Sequence, residues 1–404
     1  MNRPRTLLTP APLALAPLAL ALATLLPPTI AIAFTSAPTS QPNTQPTCHP
    51  PTSPAAHSPD ADLPGSTRNA RIARVIPPDA TDAERALTFF AANLSDEQIA
   101  ELRTVAPNVS VIRIASRDEA IARAAEADAI DGRLVSADLL AKADRLVWVH
   151  SPSAGVERLV TLPGVKDRAS LVLTNARGVH GPAIADHAMG MLLSLTRQLP
   201  TYAAAQARHE WARDVPEGEA IALHGKTMLV VGIGGIGEEI ARRAHGFGMR
   251  IIATRRSDSP SPAFVERVGK PGDLGAMLPE ADVVAICVPL TPETQNLFDA
   301  AMIGRMKPGS YLINIARGRI VETDALIAAL NDGRIAGAAL DVTDPEPLPK
   351  DHALWDAPNV LITPHVAADG ELTDQRWWAL LKENIRRFGA GEPLLNCVDV
   401  AAGY

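Results

Sequence analysis

Residues 228–244 constrain the fold of this chain more than any other stretch. An apolar run, Met228–Val231, leads into Gly232-Ile233-Gly234-Gly235-Ile236-Gly237, and a helical pattern follows from Glu238 to Ala244. A strand that turns sharply into a helix over a diphosphate needs three glycines. The first makes the tight turn, the second lets backbone approach the pyrophosphate, and the third lets helix pack on strand; Gly232, Gly234 and Gly237 have that spacing. The helix N-terminus then directs backbone N–H groups at the phosphates. The motif predicts a dinucleotide site on a parallel α/β sheet.

The rest of the chain supports such sheets. Its 404 residues, 47% hydrophobic and 21% charged, suit two globular domains. From Arg71 onward, short β-branched runs alternate with Ala/Leu-rich helical stretches. Strands are predicted at Ala70–Ile76, Val109–Ile114, residues 129–131 and Leu146–Val149, and helices at Ser95–Val105 and Arg117–Ala127. Ser95 with Gln98 three residues on is a capping box. A long helix follows at Pro182–Leu199. A second series then supplies strands at Met228–Val231, Arg250–Ala253, Val283–Cys287, Tyr311–Ile315, Gly337–Ala339 and Val360–Ile362, and a closing helix through Trp377–Phe388. The pattern predicts two Rossmann-like, doubly wound parallel-sheet domains with a cleft between them. The first spans residues 67–178 and the dinucleotide-binding domain spans 179–370.

The first sixty-six residues differ in kind. No charged residue lies between Arg5 and Asp60, and Leu13–Leu26 is almost all Leu and Ala behind Arg3 and Arg5. With Ala31-Ile32-Ala33 this makes a signal-peptide pattern over residues 1–33, followed by a Pro/Ser/Thr-rich linker over 34–66. The expectation is an exported or periplasmic protein, the alternative a cytoplasmic one with an over-long start. The apolar run is short and interrupted by Pro12, Pro17, Pro27 and Pro28, so no membrane span is expected. A net charge of −7 disfavours nucleic acid and anionic membranes as partners. Cys48, Cys287 and Cys397 are too scattered for a metal site or a disulfide framework, so no metal is expected.

The strand after the glycine loop ends Thr254-Arg255-Arg256-Ser257. A site for NAD normally places Asp or Glu there to accept from the ribose 2′-hydroxyl. Arg255 stands in that place, and Arg255, Arg256 and the Ser257 hydroxyl suit a 2′-phosphate. The reading favours NADP over NAD. Asp258 is read as a solvated turn residue.

Three later segments each end a predicted strand with one chemically competent residue: Asn314-Ile315-Ala316-Arg317-Gly318, Asp341–Pro347 and Thr363-Pro364-His365. Ligands of open α/β sheets sit at these strand ends. Hydride transfer to a 2-oxo acid needs a cation for the carboxylate, an acid for the new alkoxide, and a group that keeps that acid charged. Arg317 offers a planar fork that never deprotonates, His365 an imidazole suited to acid/base work, and Glu346 a carboxylate that favours the imidazolium and fixes its orientation.

Residues 230–237, Cys287–Thr294, Asn314–Leu326, Asp341–Pro347 and Thr363–His365 together resemble the D-isomer-specific 2-hydroxyacid dehydrogenase family, over residues 70 to 404. The resemblance implies an Arg317–Glu346–His365 catalytic triad and a loop, Ser153-Ala154-Gly155, whose N–H groups hold the substrate carboxylate. It also implies cofactor contacts from Gly235, Ile236, Val288, Pro289, Ile315 and Asp341, completion of the first domain by residues 371–404, and a homodimer paired through Pro182–Leu199. Arg255 in place of an acid is similar to the glyoxylate/hydroxypyruvate reductases, and Glu346 in place of the Gln of formate dehydrogenases disfavours formate. A 2-oxo or D-2-hydroxy acid is thus the expected substrate. A non-catalytic, NAD(H)-responsive binding protein of the corepressor type is the alternative. His150, His180 and His187 are read as structural.

Overall fold

The structure, a computed structural model, describes residues 71–74, 86–213 and 220–400. The export-like segment 1–33, the linker 34–66 and Cys48 lie outside the described residues. Fourteen strands among the described residues form two seven-stranded sheets. In chain order they are β1 (Arg71–Arg74), β2 (Leu87–Ala91), β3 (Val109–Arg113), β4 (Ala129–Asp131), β5 (Trp148–His150), β6 (Val172–Thr174), β7 (Thr227–Val231), β8 (Arg250–Thr254), β9 (Val265–Gly269), β10 (Val283–Ile286), β11 (Ser310–Asn314), β12 (Ile335–Leu340), β13 (Val360–Ile362) and β14 (Pro393–Cys397).

The second sheet has the order β13-β12-β11-β10-β7-β8-β9, parallel throughout. The chain adds strands to one side of β7 and then, from β10 on, to the other, and this switch point puts a crevice for ligand beside the glycine loop that follows β7. Both faces are covered, so its strands read as unbroken apolar runs. Met228 and Val230 of β7 face a core shared with Ile184, Ala188 and Met189 of the helix Gly181–Thr196, while Leu229 and Val231 face the opposite core with Leu326 and Leu330.

The first sheet has the order β1-β14-β6-β5-β4-β2-β3. The five strands from β6 to β3 are parallel, but β14 runs antiparallel to β6 and to β1. The sheet is therefore mixed at one edge, and the opening strand lies beside the last one. The chain returns through the helix Glu371–Ala390, whose Leu381, Ile385 and Phe388 bury against Phe89 and Trp148. The Trp148 ring lies 5.5 Å from that of Phe89 and 5.2 Å from that of Phe388.

Local signals account for several boundaries. Ser95 caps the helix Asp96–Val105: its hydroxyl accepts from Gln98 N–H at 3.2 Å and its own N–H donates to Gln98 Oε1 at 2.9 Å. The predicted helix Pro182–Leu199 is shorter than expected. It runs Gly181–Thr196, breaks at Gln198 with φ +57°, and a new helix, Leu199–Ala207, begins. Pro200 lacks an N–H and its ring would clash with the carbonyl four residues back, so one continuous helix is ruled out. No helix among the described residues is long and apolar enough to cross a membrane.

Candidate active site

The glycine loop is built as its spacing requires. Gly232 has φ +95°, and a Cβ there would lie 2.7 Å from Val288 Cγ1. A Cβ on Gly237 would run into the Gly232 carbonyl, whereas one on Gly234 meets nothing within 4 Å. The turn is thus closed on its inner side and open where a diphosphate would approach, at the start of the helix Gly235–Gly246. Ile236 and Ile315 pack on the apolar core, and Val288, with Pro289 after it, stands against the glycine turn. These residues fit a dinucleotide.

The end of β8 differs from the expectation of an open, phosphate-facing Arg255. Arg255 is only 8% exposed, and its fork is engaged inside the protein. Nε donates to Ile233 O at 2.8 Å, Nη1 to Ser259 O and Pro260 O at 2.7 Å each, and Nη2 pairs with Glu238 Oε1 at 2.9 Å. It ties the glycine loop to the loop after β8. Arg256 and Ser257 are the exposed members of the trio, and Asp258 pairs with Lys270.

The ends of β11, β12 and β13 lead into the segments that carry Arg317, Glu346 and His365. Asn314 Nδ2 donates to Arg317 O at 2.9 Å and Asn314 Oδ1 accepts from Ala316 N–H at 3.1 Å, which fixes the turn that presents Arg317. The next residue, Gly318, packs so tightly on the backbone of Thr343 and Asp344 that a Cβ would overlap the Thr343 carbonyl. That segment carries Glu346, whose Oε1 lies 2.7 Å from His365 Nδ1. With Glu346 ionised, Nδ1 must carry the proton and donate, which leaves Nε2 as the nitrogen for a substrate. Both side chains are about two-fifths exposed (44% and 42%), as a substrate-accessible pair must be.

His365 itself sits at φ +58°, with its N–H bonded to Asp341 O at 2.8 Å. Asp341, expected to contact the cofactor, is 2% exposed and has both carboxylate oxygens taken up by the histidine loop. Oδ1 accepts from Thr363 Oγ1 (2.6 Å) and Val366 N–H (3.0 Å), and Oδ2 from Ala367 N–H (3.0 Å). His187 extends this bracing, its Nε2 lying 2.9 Å from Thr363 Oγ1.

The loop Ser153–Gly155 meets this row from the first sheet. Ser153 O accepts from Ala176 N–H at 3.1 Å and Ala154 O from Asn175 Nδ2 at 2.9 Å. The two peptide planes therefore turn their carbonyls inward, and the N–H groups of Ala154 and Gly155 point the other way, with no acceptor among the described residues. Ser153 N–H instead reaches Ser151 Oγ at 3.3 Å. A Cβ on Gly155 would collide with Arg317 Nη2, so the loop and the guanidinium touch. Two peptide donors and a cation converge there, an arrangement that suits a carboxylate.

Burial shifts three other titratable groups, His150, Cys287 and His180. His150 is fully buried, with Nδ1 3.0 Å from Thr174 Oγ1. Burial lowers its pKa to about 4, against a raising influence from Asp131 and a further lowering by Arg133. The Cys287 thiol is pushed up to about 12 by burial, which removes it as a nucleophile. Burial also lowers His180. Because the unfolded His150 takes up a proton near its ordinary value of about 6.5 and the folded one does not, its stabilisation is complete above that pH and is lost as pH falls toward 4, on the order of 3 kcal/mol in all. Thermal midpoints measured from pH 7 to 4 should fall less steeply for His150→Gln than for wild type, and equal slopes would contradict this.

The fold and this site together define a nucleotide-linked α/β oxidoreductase. Residues 189–367 match the family model for the D-isomer specific 2-hydroxyacid dehydrogenase, NAD binding domain. A glyoxylate reductase of Korarchaeum cryptofilum is 34% identical over 301 residues, covering 70% of this chain and 86% of that protein. A solved D-isomer specific 2-hydroxyacid dehydrogenase family protein from Aeromonas salmonicida superposes with a TM-score of 0.69 at 33% identity, over 78% of this chain and 100% of that one. The NADPH-dependent glyoxylate/hydroxypyruvate reductase of Sinorhizobium meliloti, solved with NADP and sulfate, gives 0.65 at 29% identity over 79% and 100%. This chain spans about half the length of the D-3-phosphoglycerate dehydrogenases it matches, 54% for that of Methanocaldococcus jannaschii. The chain belongs to the D-isomer specific 2-hydroxyacid dehydrogenase family.

Proposed function

We propose that this protein reduces a small 2-oxo acid, of the glyoxylate or hydroxypyruvate kind, to the D-2-hydroxy acid, with NADPH preferred. The carrying observation is the 2.7 Å His365–Glu346 pair in the same row of strand ends as an Arg317 that touches Gly155. A bound nicotinamide supplies the hydride for C2. Arg317 and the N–H groups of Ala154 and Gly155 hold the substrate carboxylate, with Ser153 shaping the loop. His365 Nε2 delivers a proton to the C2 oxygen. Glu346 stabilises the charged imidazolium before that step and keeps its ring oriented afterwards. Gly232, Gly234, Gly235 and Gly237 hold the diphosphate. The substrate unit comprises residues 67–178 with 371–404, and the dinucleotide unit residues 179–370.

Coenzyme preference rests on Arg256 and Ser257, since Arg255 is already engaged by backbone carbonyls and Glu238. Two relatives solved with NADP or named NADPH-dependent support the reading. Arg256→Ala should raise the KM for NADPH about tenfold and leave that for NADH nearly unchanged; an unaltered NADPH/NADH ratio would remove Arg256 from phosphate recognition. A homodimer is also proposed. Of the exposed large apolar side chains among the described residues, Leu199, Tyr202 and Trp211 follow the helix Gly181–Thr196 in the chain and would extend the pairing surface past it. The test of function is optical: a panel of 2-oxo acids with NADPH and with NADH. Turnover of a short acid supports the enzyme, whereas tight coenzyme binding with no turnover favours the corepressor-like binding protein.

A further inference from the structure

Arg317 is not held by its own loop alone. Its Nε lies 3.3 Å from Glu157 Oε1, a carboxylate that belongs to the first sheet's side of the site, just past the substrate loop. Both side chains are about one-third exposed, 34% and 36%. Nη1 turns back to Ala316 O at 2.7 Å. Two of the three guanidinium nitrogens are thus pinned, and the third, Nη2, is the one that packs on Gly155. Glu157 reaches the same spot: a Cβ on Gly155 would lie 2.7 Å from its Oε2. The absence of a side chain at Gly155 is what lets carboxylate and guanidinium meet.

Glu157 is itself rigidly mounted. The flanking Val156, Leu159 and Val160 are 2%, 4% and 6% exposed and anchor the turn in the first sheet's core. An arginine side chain has several rotatable bonds, and each bond left free lowers the fraction of molecules with the fork in place. A carboxylate beside Nε helps fix the plane of the fork while leaving Nη2 for a ligand.

We propose that Glu157 is a positioning residue for Arg317: it holds the guanidinium by its Nε edge so that Nη2 faces the substrate carboxylate at Ala154 and Gly155. The inference rests on the substrate reading above. It also makes the pair a link between the two sides of the cleft, since Glu157 follows β5 and Arg317 follows β11.

The experiment compares wild type, Glu157→Ala and Glu157→Gln with the best 2-oxo acid from the panel. Glu157→Ala should raise the KM for the acid about tenfold while kcat and the KM for NADPH stay within about twofold. Glu157→Gln, which keeps the side chain's size but not its charge, should recover only part of that loss. On an Arg317→Lys background, which has no Nε, Glu157→Ala should change the acid's KM little. An unmoved KM in Glu157→Ala would overturn the proposal. So would a joint fall of thermal midpoint, kcat and NADPH affinity with the acid's KM unmoved, or a full tenfold effect persisting on Arg317→Lys. Wild type that turns over no 2-oxo acid would sink the substrate reading and this inference with it. Normal wild-type turnover with an indifferent Glu157→Ala sinks the inference alone.

Discussion

Replacing His365 by alanine is expected to lower kcat by about a thousandfold while coenzyme affinity stays within about twofold. The reasoning is local. His365 Nδ1 is held by Glu346 at 2.7 Å, so Nε2 is the one ring nitrogen left to serve the reacting oxygen. Two other imidazoles among the described residues are otherwise occupied: His150 is buried with its pKa lowered to about 4, and His187 is engaged by Thr363. In the proposed reaction, loss of the ring removes the proton donor in reduction and its acceptor in oxidation. Because the glycine loop lies at β7 and the imidazole at β13, coenzyme binding should be spared. Stopped-flow or steady-state NADPH oxidation, with coenzyme titrated separately by fluorescence, reads both quantities. Residual activity above about a tenth of wild type would take His365 out of acid/base duty.

Gly318→Ala is expected to cost about a hundredfold in kcat, because residue 318 packs on the backbone that leads to Glu346. Its Cβ would overlap the Thr343 carbonyl and lie 2.6 Å from Asp344 N, so the backbone leading to Glu346 must retreat. Backbone cannot swing aside as a side chain can. Glu346 would then sit out of line with Nδ1, and Arg317, one residue away, would shift from Gly155. The thermal midpoint should fall by only a few degrees, because the strands beneath are untouched. Kinetics near wild type would show that the Thr343–Pro347 segment tolerates displacement, and the tight-packing argument would fail.

How much of this was legible in the sequence follows from what each feature depends on. The glycine loop was readable because strand, turn and helix are contiguous and three glycines carry a steric meaning of their own. Arg317, Glu346 and His365 were readable because parallel strands in one sheet bring their C-terminal ends into one row, whatever the loops do. β2 was missed: Leu87-Thr88-Phe89-Phe90-Ala91 is buried on both faces in its inner part and shows no alternation. β14 was missed because its place is set by antiparallel pairing with β6 and with the opening strand, hundreds of residues away. Arg255 was placed correctly along the chain but not in direction, since its direction depends on carbonyls at Ile233, Ser259 and Pro260 and on Glu238. For Asp341 the family resemblance implies a cofactor contact, yet its oxygens serve the Thr363–Ala367 loop. Glu157 gave no signal at all: its partner is 160 positions later.

Glu346 and His365 are proposed to work as one unit, and a double-variant cycle measures that most directly. Glu346→Gln, His365→Ala and the pair are to be compared by kcat with the best 2-oxo acid. Once the imidazole is gone Glu346 has nothing to orient, so the double variant should be no slower than His365→Ala alone. Losses that multiply would mean the two side chains act separately, despite the 2.7 Å between them.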